Sequence, residues 1–203
     1  NLLYNIVKYV SKSGVSMNIN TTYTKIITGE DLMETAQHGS TLYPFQFYYE
    51  DLSVFDFNCI EWHWHTELEF IYIESGTVTL WIGEDQFHLT EGNGVFINTK
   101  VLHRLYSPSK ALIPNFVFMP SFIAPCDSLI YQKYILPIIS SSLPFLVFHK
   151  KVCWQAKVLS IMRQIISAQD SVLSKELLTS SLLQNLWLEI FENTDISYQE
   201  EYK

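Results

Sequence analysis

The chain has 203 residues, with 21 acidic side chains against 13 Lys and Arg and a formal charge of −8. That balance argues against nucleic-acid binding by these residues, because such binding draws on clustered Lys and Arg that release counterions. Apolar residues make up 48% of the chain and aromatics 15%, enough for one substantial core. Cys59, Cys126 and Cys153 are odd in number and far apart, which suits buried, inert, reduced thiols rather than a disulfide framework or a metal site.

Residues 1–10 read as a short amphipathic helix, with Leu3, Ile6, Val7 and Val10 on one side, within an arm over residues 1–34. They lack the basic start and cleavage site of a signal peptide, and no apolar stretch reaches the roughly 20 residues of a membrane span. A cytoplasmic location without membrane partners is expected. The chain begins without Met, and Met17 is an alternative start. Residues 61–72 read as one strand that turns at Ser75-Gly76 into a second, residues 77–82. Residues 86–89 form a third. After Glu91-Gly92-Asn93-Gly94 come residues 95–98, and a further strand begins near Leu102.

Beyond Pro125 the pattern changes to helical periods. Residues 129–139 read as a short helix interrupted by Pro137, and residues 143–148 as an extended piece packed back on the strands. Trp154, Val158, Ile161, Met162 and Ile165 make one stripe; Leu178, Leu182, Leu186 and Ile190 make another, widened by Leu183, Trp187 and Phe191. The polar residues 167–174 separate them as the turn of a helical hairpin. The second stripe is wider than one intramolecular contact needs, so a two-fold homodimer through the hairpin is expected. The division is an arm over 1–34, a β-barrel over 35–125 and a helical dimerisation segment over 126–203.

The chemistry concentrates between Glu61 and His103. His63, His65 and Glu69 sit at even spacing, which on one strand directs all three to the same face, and His103 can join them from a later strand. Three imidazoles and a carboxylate can hold Zn, Ni, Fe or Mn with positions left open. The same residues can instead line a metal-free mouth that offers donors and acceptors to an organic ligand. Both readings stand. Glu67 shares the parity of Glu69 unless a bulge or strand end intervenes. His88 is a further ligand-binding candidate on the inward face of its strand, against the alternative of a structural side chain. His38 and His149, near element ends, are expected to be surface or capping residues. Trp62, Trp64 and Trp81 are expected on the outer face, against the helices. No nucleophile elbow and no phosphate-cradling loop is present, so no catalytic residue is assigned.

The spacing His63-x-His65, three residues, Glu69, six residues, Gly76 matches the first cupin motif. The second motif keeps its spacing from Gly92 to His103, but Asn98 stands where the motif has Pro and Lys100 where it has Gly, which puts that turn's geometry in question. Within the cupins, the phrase from His63 to Tyr72 resembles the amino-terminal sensor domain of AraC-type transcription regulators. Residues 92–103, His38-Gly39, Pro44-Phe45 and residues 130–134 carry the same resemblance. The likeness covers about residues 35–195. It implies a mainly β, jelly-roll-like cupin barrel followed by a carboxyl-terminal helical hairpin. It also implies a small-molecule effector in the barrel, a homodimer, and DNA contact only through a helix-turn-helix domain beyond these residues. The alternative is a metal-dependent cupin enzyme, such as a dioxygenase or isomerase. The long helical tail and the lack of a further acid–base pair in the strands count against it.

Overall fold

Alternation of inward and outward side chains from residue 45 to 118 builds two antiparallel sheets, seen in a computed structural model that describes residues 7–10, 16–19 and 23–194. The strands are β1 (Val7–Val10), β2 (Ser16–Ile19), β3 (Phe45–Asp51), β4 (Cys59–His63), β5 (Leu68–Tyr72) and β6 (Thr77–Ile82). They continue as β7 (Asp85–Thr90), β8 (Gly94–Ile97), β9 (His103–Tyr106), β10 (Leu112–Phe118) and β11 (Phe145–Phe148). One sheet has the order β11-β8-β5-β10-β3 and the other β4-β9-β6-β7. Between them lies an aliphatic interior built from Ile71, Val78, Leu80, Val95, Ile97, Leu105 and Ile113. The architecture is mainly β with carboxyl-terminal helices, as expected from the patterning.

The five-stranded sheet is buried on both faces, which is why β5, β8 and β10 read as nearly continuous apolar runs. Its outer face carries Phe70, Phe96, Phe116 and Phe118, and Phe70 stacks on Phe116 with ring centroids 5.3 Å apart. The helices α2 (Cys153–Ala168) and α3 (Lys175–Asn193) cover these rings with Val158, Met162, Ile165, Leu183, Leu186, Trp187 and Ile190. The connection before them holds a π-helical turn, Tyr131–Ile135, that runs into α1 (Leu136–Ile139). Trp187 donates to the Tyr134 carbonyl at 2.8 Å and fixes α3 to that connection. Residues 143–148 do more than pack back: β11 pairs in register with β8 and completes the sheet.

Four expectations need correction. Val7–Val10 is a strand paired with Ser16–Ile19, not the end of a helix, and residues 1–6 lie outside the described residues. Residues 61–72 are two strands in opposite sheets, because the chain leaves β4 after His63 and bends across the barrel end before β5. The tryptophans lie away from the helices: Trp81 carries the Arg104 guanidinium 5.0 Å above its ring, and Trp64 donates to the Asp31 carbonyl. All three cysteines are free, but only Cys59 is buried.

Candidate functional site

The break between β4 and β5 brings the motif residues together. A register shift between Ile60 and His63 lets Ile60 face inward opposite Leu105 while His63 faces inward opposite His103, two positions that simple alternation along β4 would set on opposite faces. His65 lies just past the strand and Glu69 on the opposing β5. The nearest ligand atoms of His63, His65, Glu69 and His103 all lie within 4.8 Å of one another, and all four residues are buried.

The hydrogen bonds fix the tautomers. Nδ1 of His63 faces the Glu61 carbonyl at 2.8 Å, that of His65 the Glu67 carbonyl at 3.2 Å, and that of His103 the Val101 carbonyl at 2.9 Å. A carbonyl only accepts, so each Nδ1 carries the proton and each neutral ring keeps its Nε2 lone pair. The Glu69 carboxylate then confronts Nε2 of His65 at 3.4 Å and of His103 at 3.1 Å. Two lone pairs against a carboxylate repel unless a second proton or a cation stands between them. His103 Nε2, fully buried, has no hydrogen-bond partner among the described residues. The donor set therefore fits a divalent metal with carbonyl-oriented imidazoles, an arrangement typical of metal-bound histidine.

The electrostatics describe the case of the second proton. Burial opposes ionisation of Glu69, but a second proton on His103 and His65 would donate to it, and those bonds with their charge outweigh burial and hold the carboxyl well below its usual range. Burial, then His103, keeps His63 well below its ordinary value. Burial pulls His65 down as well, yet Glu69 with Glu34 and Glu67 raises it overall.

Glu67 and His88 stand apart from this cluster. The Glu67 carboxylate lies 3.9 Å from the Nδ1 side of His65, behind the ring, because the bend before β5 breaks strict alternation. His88 is exposed and faces outward: Phe87 and Leu89 take the inward face of β7, and His88 meets Thr79 at 3.2 Å on the other. His38, expected near the surface, is buried instead, its Nδ1 2.9 Å from the Tyr48 hydroxyl and its ring 5.6 Å from that of His65.

A cavity of about 280 Å³ opens beside the cluster, lined by His63, His65 and Glu69, by Ile60, Ile71, Leu105, Ile113 and Val117, and by a second polar group. That group is Tyr23, Glu34, His38, Tyr48, Glu50 and Asn115. Glu50 accepts from the Tyr23 hydroxyl at 2.5 Å and from the Asn115 amide at 3.3 Å. Burial pushes its pKa up to about 7, against the lowering effect of those two bonds. Tyr48, Glu50 and Asn115 share strand parity with inward neighbours and were open to the same reasoning as the histidines. Tyr23, Glu34 and His38 come from an irregular segment with no period to read.

Residues 59–113 match the cupin domain family. This barrel has the cupin fold. The chain is 24% identical over 143 residues to the HTH-type transcriptional regulator YdeC of Bacillus subtilis, itself uncharacterized, covering 68% of this chain and 48% of that one. It thus spans about half the length of the curated relative it matches. Among solved structures, apo ToxT from Vibrio cholerae superposes with a TM-score of 0.51 at 11% identity, over 77% of this chain and 58% of that one. A cupin-2 domain protein from Shewanella frigidimarina aligns with a TM-score of 0.33 at 20% identity, covering 40% of this chain and 81% of its own. The similarity to ToxT extends well beyond the barrel motifs. Among the described residues no helix is long and apolar enough to cross a membrane.

Proposed function

We propose that the chain is the effector-sensing and dimerisation part of an AraC-type transcription regulator of the cytoplasm, which binds a small molecule inside the cupin barrel and transmits that state to a separate helix-turn-helix domain. The observation that carries this reading is the similarity to an HTH-type regulator over 68% of the chain, on a fold whose barrel encloses a cavity and whose outer sheet face bears a helical hairpin. A ligand that prefers one arrangement of cavity wall and hairpin shifts the population toward it, and that differential affinity is the signal.

His63, His65, Glu69 and His103 would hold a divalent metal, which when bound supplies a Lewis-acidic anchor for a ligand oxygen or nitrogen. The chain's own residues orient the imidazoles through the Glu61, Glu67 and Val101 carbonyls and exclude water with Ile71, Leu105 and Ile113. This donor set also favours a second reading, a metal-dependent cupin enzyme. The two separate in one experiment: small molecules are screened for thermal stabilisation of the metal-loaded protein, and each hit is incubated with it and recovered. Recovery unchanged is expected. Conversion of the hit would move the assignment to an enzyme.

A further inference from the structure

The polar wall next to the histidine cluster specifies a chemical class of ligand, on the reading that the barrel is an effector site. Glu50 is 5% exposed, and its two hydrogen-bond partners, the Tyr23 hydroxyl and the Asn115 amide, are neutral donors. None of the ion pairs among the described residues involves it. Glu34 lines the same cavity, and its neighbour His38 is 6% exposed with Nε2 lacking a hydrogen-bond partner, although the Glu34 carboxylate lies 3.4 Å away. The lining holds three carboxylates, Glu34, Glu50 and Glu69, and one ammonium, that of the exposed Lys25. A metal on the histidine cluster would answer Glu69 and leave the other two. A buried carboxylate without a counter-charge is costly, and a carboxylate has acceptor capacity beyond two bonds.

We propose that Glu50 and Glu34, with Tyr23 and Asn115, form a subsite for the protonated nitrogen of a small organic cation, an amine, amidine or guanidine, whose apolar body lies against Ile71, Ile113 and Val117. The cation supplies both the missing charge and N–H donors, and charge-assisted bonds to a desolvated carboxylate are roughly twice as strong as neutral ones. The neighbouring aliphatic side chains favour a compact hydrocarbon body over a polyhydroxylated one.

The test compares benzylamine with its neutral isostere benzyl alcohol, read by calorimetry and by the shift of the Asn115 side-chain amide in 1H–15N spectra, at about pH 8 where the amine is charged and Glu50 ionised. Benzylamine is expected to bind at least about tenfold more tightly and to move the Asn115 amide signal. Glu50→Gln is expected to remove that preference, so that the two probes bind about equally. The ranking on the unmodified protein does not depend on any variant. Equal or tighter binding of the alcohol overturns the cation subsite and leaves the cavity an effector site. Failure of both probes to bind overturns the cation subsite alone, because the effector reading stands or falls on the wider small-molecule screen. An amine preference that survives Glu50→Gln overturns the assignment to this wall.

Discussion

At the scale of single residues, the barrel holds acids in two different states. Glu69 faces imidazoles and is held ionised, whereas Glu50 faces neutral donors and is pushed up to about 7 from an ordinary 4.5. The sign of the consequence is fixed by linkage: between those values the folded chain keeps a proton that the unfolded chain has lost. Stability from Glu50 is therefore present at low pH and lost as pH rises through its folded pKa. Glu50→Gln removes the penalty. Above about pH 8 the variant is expected to be more stable by about 1–2 kcal/mol, after allowing about 1 kcal/mol for the Asn115 acceptor, while near pH 4 it gains nothing. Urea titrations at the two pH values check this, and a variant less stable at both would refute it. Glu69→Gln tests the other acid. It keeps the size but removes the anionic donor, so divalent-metal affinity should fall by at least about tenfold, and His65→Ala should lower it further. Metal analysis of untagged protein after loading with Zn, Ni, Fe and Mn decides it; less than about a tenth of an equivalent on the parent chain would remove the metal proposal.

At the scale of elements, the two departures from the second cupin motif find their explanation in the strand that follows. Asn98 stands where the motif has Pro, and its backbone N–H donates to the Pro144 carbonyl at 2.9 Å, a bond a proline would forfeit. Its side-chain amide donates to the carbonyls of Ile138 at 3.2 Å and Leu143 at 2.9 Å, so it ties the end of β8 to the start of β11. Lys100 stands where the motif has Gly and has a left-handed φ of 61°, the conformation that Gly adopts without cost. Its backbone N–H donates to the His65 carbonyl at 2.8 Å, which holds the turn against the histidine bend. Lys100→Gly should therefore stabilise by about 0.5–1 kcal/mol, and Asn98→Ala should destabilise by about 2 kcal/mol through unpaired buried carbonyls. Thermal or chemical unfolding reads both, and opposite signs would refute the argument. The sequence carried the motif spacing, the helical hairpin and the β-rich first part, because each repeats with a period. It did not carry the split of residues 61–72 into two strands, since the even spacing of His63, His65 and Glu69 reads the same along one strand as across the bend after His63. The inward turn of His38 was hidden for a different reason: residues 23–38 are placed by single hydrogen bonds, such as that from Glu34 N to the Trp64 carbonyl, rather than by alternation.

At the scale of the whole molecule, the cavity and the hairpin occupy opposite sides of the five-stranded sheet, so a ligand that shifts β5 or β10 presses on the phenylalanine layer that α2 and α3 cover. The homodimer we propose would read that layer from outside. The hairpin's second apolar stripe is spent largely on the chain's own core through Leu183, Leu186, Trp187 and Ile190; beyond that stripe α3 also exposes Leu177 at 77% and Leu188 at 52%. These two are eleven positions apart, three helical turns, so they share one side of α3. Leu186 is 1% exposed, and a charge there would attack the fold itself rather than an association. Leu177→Glu combined with Leu188→Glu is the informative variant, because exposed positions tolerate substitution within about 0.5 kcal/mol in a monomer. Sedimentation at micromolar concentration should give a dimer for the parent and a monomer for the double variant, with a preserved circular dichroism spectrum. A monomeric parent, or a double variant that remains dimeric, would show that this face of α3 does not join two copies.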